Sequence, residues 1–275
     1  MKRLLNIRPD RVASIVLGTL PFLLALAIYL IVSDARLAVN PSDKLMPAPA
    51  SFVEAMRDLA FTPDKRSGGY LFWNDTLASL KRLFTGVSVS ALTGLVFGLV
   101  TGAIPLVRAG LAPFITTLSL IPPMAILPIL FIAFGLDELS KIMLIVIGIT
   151  PVIIRDLQAR ALELPREQLI KAQTLGASTW QVMLRVILPQ LLPRLLGAVR
   201  LSLGSAWLFL IAAEAIAAQE GLGYRIFLVR RYLSMDIILP YVVWITLLAF
   251  VTDWLLRRLS MNRFPWFHGQ HGARP

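Results

Sequence analysis

ELPREQLIKAQTLGASTWQVMLRVILPQLLP, residues 163–193, lies between two strongly apolar runs and is itself too polar for a bilayer interior. On a helix from about Arg160 its residues divide by face. Leu162, Pro165, Leu169, Ala172 and Gly176 fall on one side, and Arg160, Glu163, Glu167, Lys171 and Thr174 on the other. Glu167 precedes Lys171 by four residues, the order that favours an ion pair along a helix. The apolar side is thin, and Ala172 and Gly176 let another surface come close. Gly176 supplies the positive φ that a helix end needs, and Ser178 with Gln181 forms an S-x-x-Q capping box that restarts a helix. In that second helix Trp180, Met183, Leu184, Ile187, Leu188 and Leu191 recur at helical spacing and predict a continuous apolar stripe. Pro189 and Pro193 are expected to bend or end it. The prediction is a helix, a glycine turn and a capped amphipathic helix, held as a cytoplasmic loop between two spans.

Composition sets the surroundings of this loop. The chain has 275 residues, of which 57% are hydrophobic and 16% charged, with a mean hydropathy of +0.73, so it reads as an all-α polytopic membrane protein. It has no cysteine, which excludes disulfides, thiolate metal sites and cysteine nucleophiles. The two histidines, His268 and His271, lie in a glycine-bearing tail expected to fray. A net charge of +11 would suggest nucleic acid for a soluble protein; here it reflects positive loops facing the cytoplasm.

Six spans are predicted. Val12–Val32, preceded by Lys2, Arg3, Arg8 and Arg11, is long enough to cross and reads as a retained first span. Residues 33–74 form an external loop, with a short helix from Ala50 to Ala60 capped by Ser51 and Glu54. In the second span Gly86, Ser90, Gly94, Gly98 and Gly102 recur every fourth residue, a ridge suited to close helix packing within one subunit. Lys81 and Arg82 are placed to snorkel at its outer boundary. Leu111–Phe134 carries Pro113, Pro122, Pro123 and Pro128, so it is expected to be broken and interior. Ile142–Ile154 is the fourth span, Gly197–Ala218 the fifth and Ile237–Leu256 the sixth, where Asp253 is expected to pair with Arg257. Glu214 is an intramembrane acid about 6 Å from the end of the fifth span. Two readings stand for it: lining a pathway or gate, or a structural hydrogen bond to a neighbouring helix. Tyr224, Arg225 and Arg230 on the outer connection read either as contacts for a binding protein or as interfacial anchors. With both termini inside, sixteen of the 27 Lys and Arg fall in inner segments and eleven outside.

Several of these stretches resemble one family. Lys171-Ala172-Gln173-Thr174-Leu175-Gly176 followed by Ile187-Leu188-Pro189 resembles the E-A-A-x-x-x-G…I-x-L-P loop of ABC-importer permeases. Lys171 stands where that family has glutamate and Gln173 where it has the second alanine, which alters the polar contact and leaves the loop's shape. SLIPPMAILPILFIAFG resembles its proline-rich third span, and AAEAIAAQEGLGYRI its A-E…G-L-G element. The resemblance runs from about Leu71 to Leu259, in the nitrate/sulfonate/taurine branch. The outer-loop stretch and LPREQLIKAQTLGASTW are also similar to permeases associated with urea carboxylase, which would favour urea or guanidine over a sulfonate.

The resemblance implies a type I ABC importer transmembrane domain at 71–259. The first span and N-terminus occupy 1–36, a periplasmic loop 37–70 and a cytoplasmic tail 260–275. It also implies a bacterial inner membrane location, a permease homodimer, a periplasmic substrate-binding protein and an ATPase subunit. Glu167, Lys171, Ala172, Gly176, Ala177, Ser178, Trp180 and Pro189 would dock that ATPase, and Pro122, Pro123 and Glu214 would line the pathway or gate. No G-x-x-x-x-G-K-[ST] occurs, so ATP and Mg belong to the partner and no cofactor is expected on this chain. A secondary transporter or channel would instead show an inverted repeat and ionisable groups at mid-membrane, and a membrane enzyme would need a nucleophile or paired acids within the spans.

Overall fold

The computed structural model describes residues 10–41, 43–64 and 68–272, with side chains as far as residue 268. Lys2, Arg3, Arg8, Lys65, Arg66 and Arg274, and the side chain of His271, lie outside the described residues. Helix follows helix from one end to the other, with no strand among the described residues. Five helices are long and apolar enough to cross a membrane, or six where one bent pair counts as a single span.

The first helix, α1 (Arg11–Val39), starts at Asp10, whose carboxylate accepts the Ala13 N–H at 2.8 Å. It outruns the apolar run at both ends. Its tie to the rest is local: Tyr29 donates to the Pro47 carbonyl at 2.7 Å and Ser33 to that of Met46 at 3.0 Å. In the following connection Arg36 bonds Asp43, which holds that carboxyl below its usual range. The next helix, α2 (Pro49–Phe61), corrects the expected Ser51–Glu54 cap. It begins earlier, because Pro49 fits a first turn whose N–H would be unpaired anyway.

The spine is α3 (Leu71–Ala103), packed along α6 (Glu138–Leu162). The small-residue ridge is their seam. A Cβ added at Gly94 would lie 2.5 Å from Ile153 Cγ2, and one at Gly98 would lie 2.6 Å from Leu157 Cβ. Backbones can approach this closely only without side chains between them. Leu144, Ile149, Ile153 and Leu157 of α6 are among the most buried residues, so the core lies here.

Between the two, α4 (Pro105–Leu120) and α5 (Leu127–Phe134), linked by the 3-10 turn Pro123–Ile126, meet at 82°. The break falls at Pro122 and Pro123, which remove two successive backbone donors. The expectation that this span is interior fails for the single chain, since Phe114, Leu120, Ile129 and Ile132 are exposed. An apolar surface suits lipid as well as protein, and proline content alone does not distinguish them.

Beyond α6 the chain forms α7 (Arg166–Thr174), α8 (Thr179–Val182), a π turn (Met183–Ile187) and α9 (Leu188–Ala217). Two expectations are corrected here. α6 runs on past Arg160 to Leu162 and ends because Pro165 cannot continue its hydrogen bonds. Pro189 and Pro193 do not end the amphipathic helix: the π turn, with Leu188 N–H bonded to the Met183 carbonyl, absorbs Pro189. Thr179–Ala217 is therefore one continuous 39-residue element.

A short helix, α10 (Leu222–Arg230), precedes α11 (Met235–Arg263). Asp253 there pairs with Arg200 of α9 through two bonds of 2.7 and 2.8 Å, not with Arg257. The helical neighbour was the nearer in sequence, but a bidentate guanidinium on a packed helix wins. The tail expected to fray forms α12 (Pro265–Gly272), with His268 bonded to Ser260 at 3.0 Å and Arg194 over the Phe267 ring.

Candidate functional site

The loop arm is built as its sequence dictates. Gly176 has φ +82° and closes α7 with two bonds, its own N–H to the Gln173 carbonyl and the Ala177 N–H to that of Ala172. Ser178 and Gln181 exchange both capping-box bonds, at 2.9 and 3.3 Å. Gln190 of α9 reaches Gln168 of α7 at 3.1 Å and pins the arm to the long helix. Leu169, Ala172 and Ala177 pack inward.

The predicted stripe divides in two. Met183, Ile187 and Leu191 are buried, whereas Trp180 is 65% exposed, and Ile170 and Leu175, the latter 81% exposed, are also uncovered on the arm. Glu167 and Lys171 are both exposed, and among the described residues no ion pair joins them. Pro189 is exposed on the π-turn side.

At the opposite end of the bundle a charged knot joins four helices, α3, α6, α9 and α10. Glu214 is fully buried and accepts from Ser79 at 2.8 Å, Arg82 at 2.7 Å and the Gly223 N–H at 2.9 Å. Arg82, also buried, continues to Glu138 at 2.8 Å and to the Glu220 carbonyl at 2.8 Å. This corrects the snorkelling expected of Arg82. Its guanidinium turns inward because two carboxylates supply the partners it would otherwise find in water. Three successive N–H groups of Gly221-Leu222-Gly223 are caught by Asp75, Ser79 and Glu214, each at 2.9 Å. Gly221 has φ +126° and Gly223 abuts the Ile211 carbonyl, so the G-L-G sequence is what lets α10 sit on the knot.

Of the outer-connection residues, Arg225 is held by Asp75 at 2.8 Å. Burial would lower its pKa, but the bonds and charge of Asp75 outweigh that and raise it. Arg225 also stacks over Tyr224, and the exposed Arg230 over Phe227. Asp75, Ser79, Arg82 and Glu138 were missed as a group by sequence reasoning, because the bonds that tie them into the knot reach more than fifty positions along the chain.

Of the pathway candidates, Glu214 is sealed. Pro123 lines a cavity of about 330 Å³ between α4, α6 and α9, and Pro122 lies beside it at the break. The structure does not bring Pro123 and Glu214 together.

The comparisons agree with this architecture. Residues 92–262 match the family described as binding-protein-dependent transport system inner membrane component. The taurine transport system permease protein TauC of Escherichia coli (strain K12) is 34% identical over 261 residues, 95% of this chain and 92% of TauC. The bicarbonate transport system permease protein CmpB of Synechococcus elongatus is 31% identical over 230 residues, 79% and 81% of the two chains. A structure of the MetNI methionine ABC transporter in an inward-facing conformation superposes with a TM-score of 0.62 at 19% identity, over 72% of this chain and 99% of that one, which shows the shared fold. Relatives of this kind are transport subunits, and importer membership implies ATPase and binding-protein partners. The chain belongs to the binding-protein-dependent transport system inner membrane component family and is a multi-pass inner-membrane permease subunit of an ABC importer, not an enzyme.

Proposed function

We propose that two copies of this chain form the translocation pathway for a small polar solute of the taurine, sulfonate or urea type, handed over by a periplasmic binding protein. Residues 71–259 are the transporting unit, both termini are cytoplasmic, and the arm at 163–193 docks an ATPase that holds ATP and Mg. The observation that carries this reading is the apolar surface that Ile170, Leu175 and Trp180 each leave uncovered on the arm. It lies on a polar arm, carried on a rigid cap and joined to a helix that runs unbroken to Ala217. Such surface, on an arm that also exposes Glu167 and Lys171, marks a protein contact. A push on the arm would travel along the helix, so closing of the ATPase pair would rock the spans between outward and inward openings. Tyr224 and Arg230 on the far side would meet the binding protein, with Arg225 bracing that segment through Asp75.

Uptake of labelled taurine into proteoliposomes, with and without trapped ATP and the partner ATPase, tests this. Uptake should need both. Gly176→Val should leave ATPase activity but abolish uptake, because valine resists the positive φ of the turn. Uptake that persists without ATP would overturn the reading.

A further inference from the structure

Nine serine and threonine residues are buried among the described residues, and eight of them have a hydrogen-bond partner. Ser202, only 6% exposed, has none. Hydroxyls on membrane helices ordinarily donate to the carbonyl one turn back, as Ser90 does to Gly86 at 2.8 Å. Ser202 does not, and it faces the 330 Å³ cavity described above. Ser205, one turn on and also without a partner, lines the same space. Thr150 and Trp207 also hold unpaired polar atoms, but neither lines this cavity. The Ser202 oxygen is not sealed off as those two atoms are, so it is open to a visitor in the cavity.

The charges around the cavity decide what the visitor carries. Arg155 donates to Ser119 at 2.8 Å but does not itself line the cavity, and the Ser119 hydroxyl donates to the Thr116 carbonyl at 2.7 Å. Asp156 also lines the space, and its ion pair to Arg160 is long at 3.5 Å. Arg160 is better engaged with Glu163, at 3.0 and 3.2 Å. Among the residues that line the cavity Asp156 is the one charged group, beside the Ser202 and Ser205 hydroxyls, with the Phe209 ring as an apolar wall.

We propose that this cavity is a solute station on the inner half of the pathway, selective for small solutes with N–H donors, an alkylammonium or amidinium end above all. Asp156 takes the cationic end, Ser202 and Ser205 bond the polar remainder, and Phe209 covers the stem. An anion without an amine would meet Asp156 with no cation among the lining residues to offset the repulsion. The proposal rests on the import reading, and it narrows the solute from any small polar compound to an amine-bearing one.

The chain's lack of cysteine gives a clean test. In the full importer held in nanodiscs, Ser202→Cys would be labelled with aminoethyl, sulfonatoethyl and methyl methanethiosulfonate, each rate normalised to a free thiol. Ser205→Cys, exposed on the same wall, is the second site should the first not assemble. The aminoethyl reagent should react roughly tenfold faster than the sulfonatoethyl reagent, the effect expected of one nearby carboxylate. Asp156→Asn should abolish that preference, and taurine should slow labelling more than ethanesulfonate does. A ratio of one or less, a ratio indifferent to Asp156→Asn, or no reaction even with the methyl reagent at either site overturns the proposal. ATP-driven uptake of taurine by the unmodified importer is measured separately. Uptake without labelling preference sinks the station alone, whereas labelling preference without ATP dependence sinks the import reading.

Discussion

The knot around Glu214 and the wall around Ser202 lie on one helix, α9, three turns apart, and they treat polar groups in opposite ways. At the knot every carboxylate oxygen of Glu214 is met, and the three backbone N–H groups of Gly221-Leu222-Gly223 are caught as well. At the wall the Ser202 hydroxyl has no protein partner among the described residues and opens onto the cavity. The difference teaches where this permease is scaffold and where it is open for work. A satisfied polar cluster fixes helices against each other, whereas an unsatisfied one waits for something that comes and goes. The arm follows the second pattern in apolar form, with Trp180 and Leu175 uncovered beside a fully bonded cap.

The contrast can be broken most forcefully at the knot. Arg82→Ala leaves Glu214 buried without its cation and should cost about 3–5 kcal/mol, read as a collapse of folded permease recovered in detergent. Recovery at the unmodified level would mean the knot is not scaffold. Glu214→Gln keeps the shape and two donors' partners, so a loss nearer 1–3 kcal/mol is expected, with uptake per folded molecule preserved. Selective loss of uptake there would return Glu214 to the pathway. At the helix seam, Gly94→Val should cost about 1–3 kcal/mol by overpacking against Ile153, whereas Gly204→Ala, with nothing within 4 Å of its added Cβ, should be neutral in thermal unfolding.

On the arm the effects on stability shrink while those on coupling grow. Ser178→Ala removes one cap bond, for about 1 kcal/mol, visible as faster hydrogen exchange over residues 179–182. Trp180→Ala should change stability by less than about 0.5 kcal/mol yet weaken ATPase stimulation in the assembled importer. An unaltered ATPase response would remove Trp180 from the docking surface.

What the sequence disclosed follows the same division. The glycine ridge, the positive-φ turn at Gly176 and the Ser178–Gln181 box are local or periodic patterns, and all were legible because their partners lie within a turn or repeat along a helix. Arg82 and Asp253 were assigned to the lipid boundary and to Arg257 because their true partners, Glu214 and Arg200, come from other helices. No spacing rule reaches across 132 positions. Pro189 reads as a bend or an end of the helix, and only the π turn before it reveals how the chain continues. The split of the Trp180 stripe was likewise hidden, since periodicity shows that a face is apolar but not whether the chain itself covers it.

The measurement that bears most directly on the account is the sidedness of Leu175→Cys in a chain otherwise free of cysteine. With a membrane-impermeant maleimide, labelling should occur only from the cytoplasmic face and should fall when the partner ATPase is bound. Labelling from the outer face, or labelling untouched by the ATPase, would contradict the reading of this arm as the joint between motor and pathway.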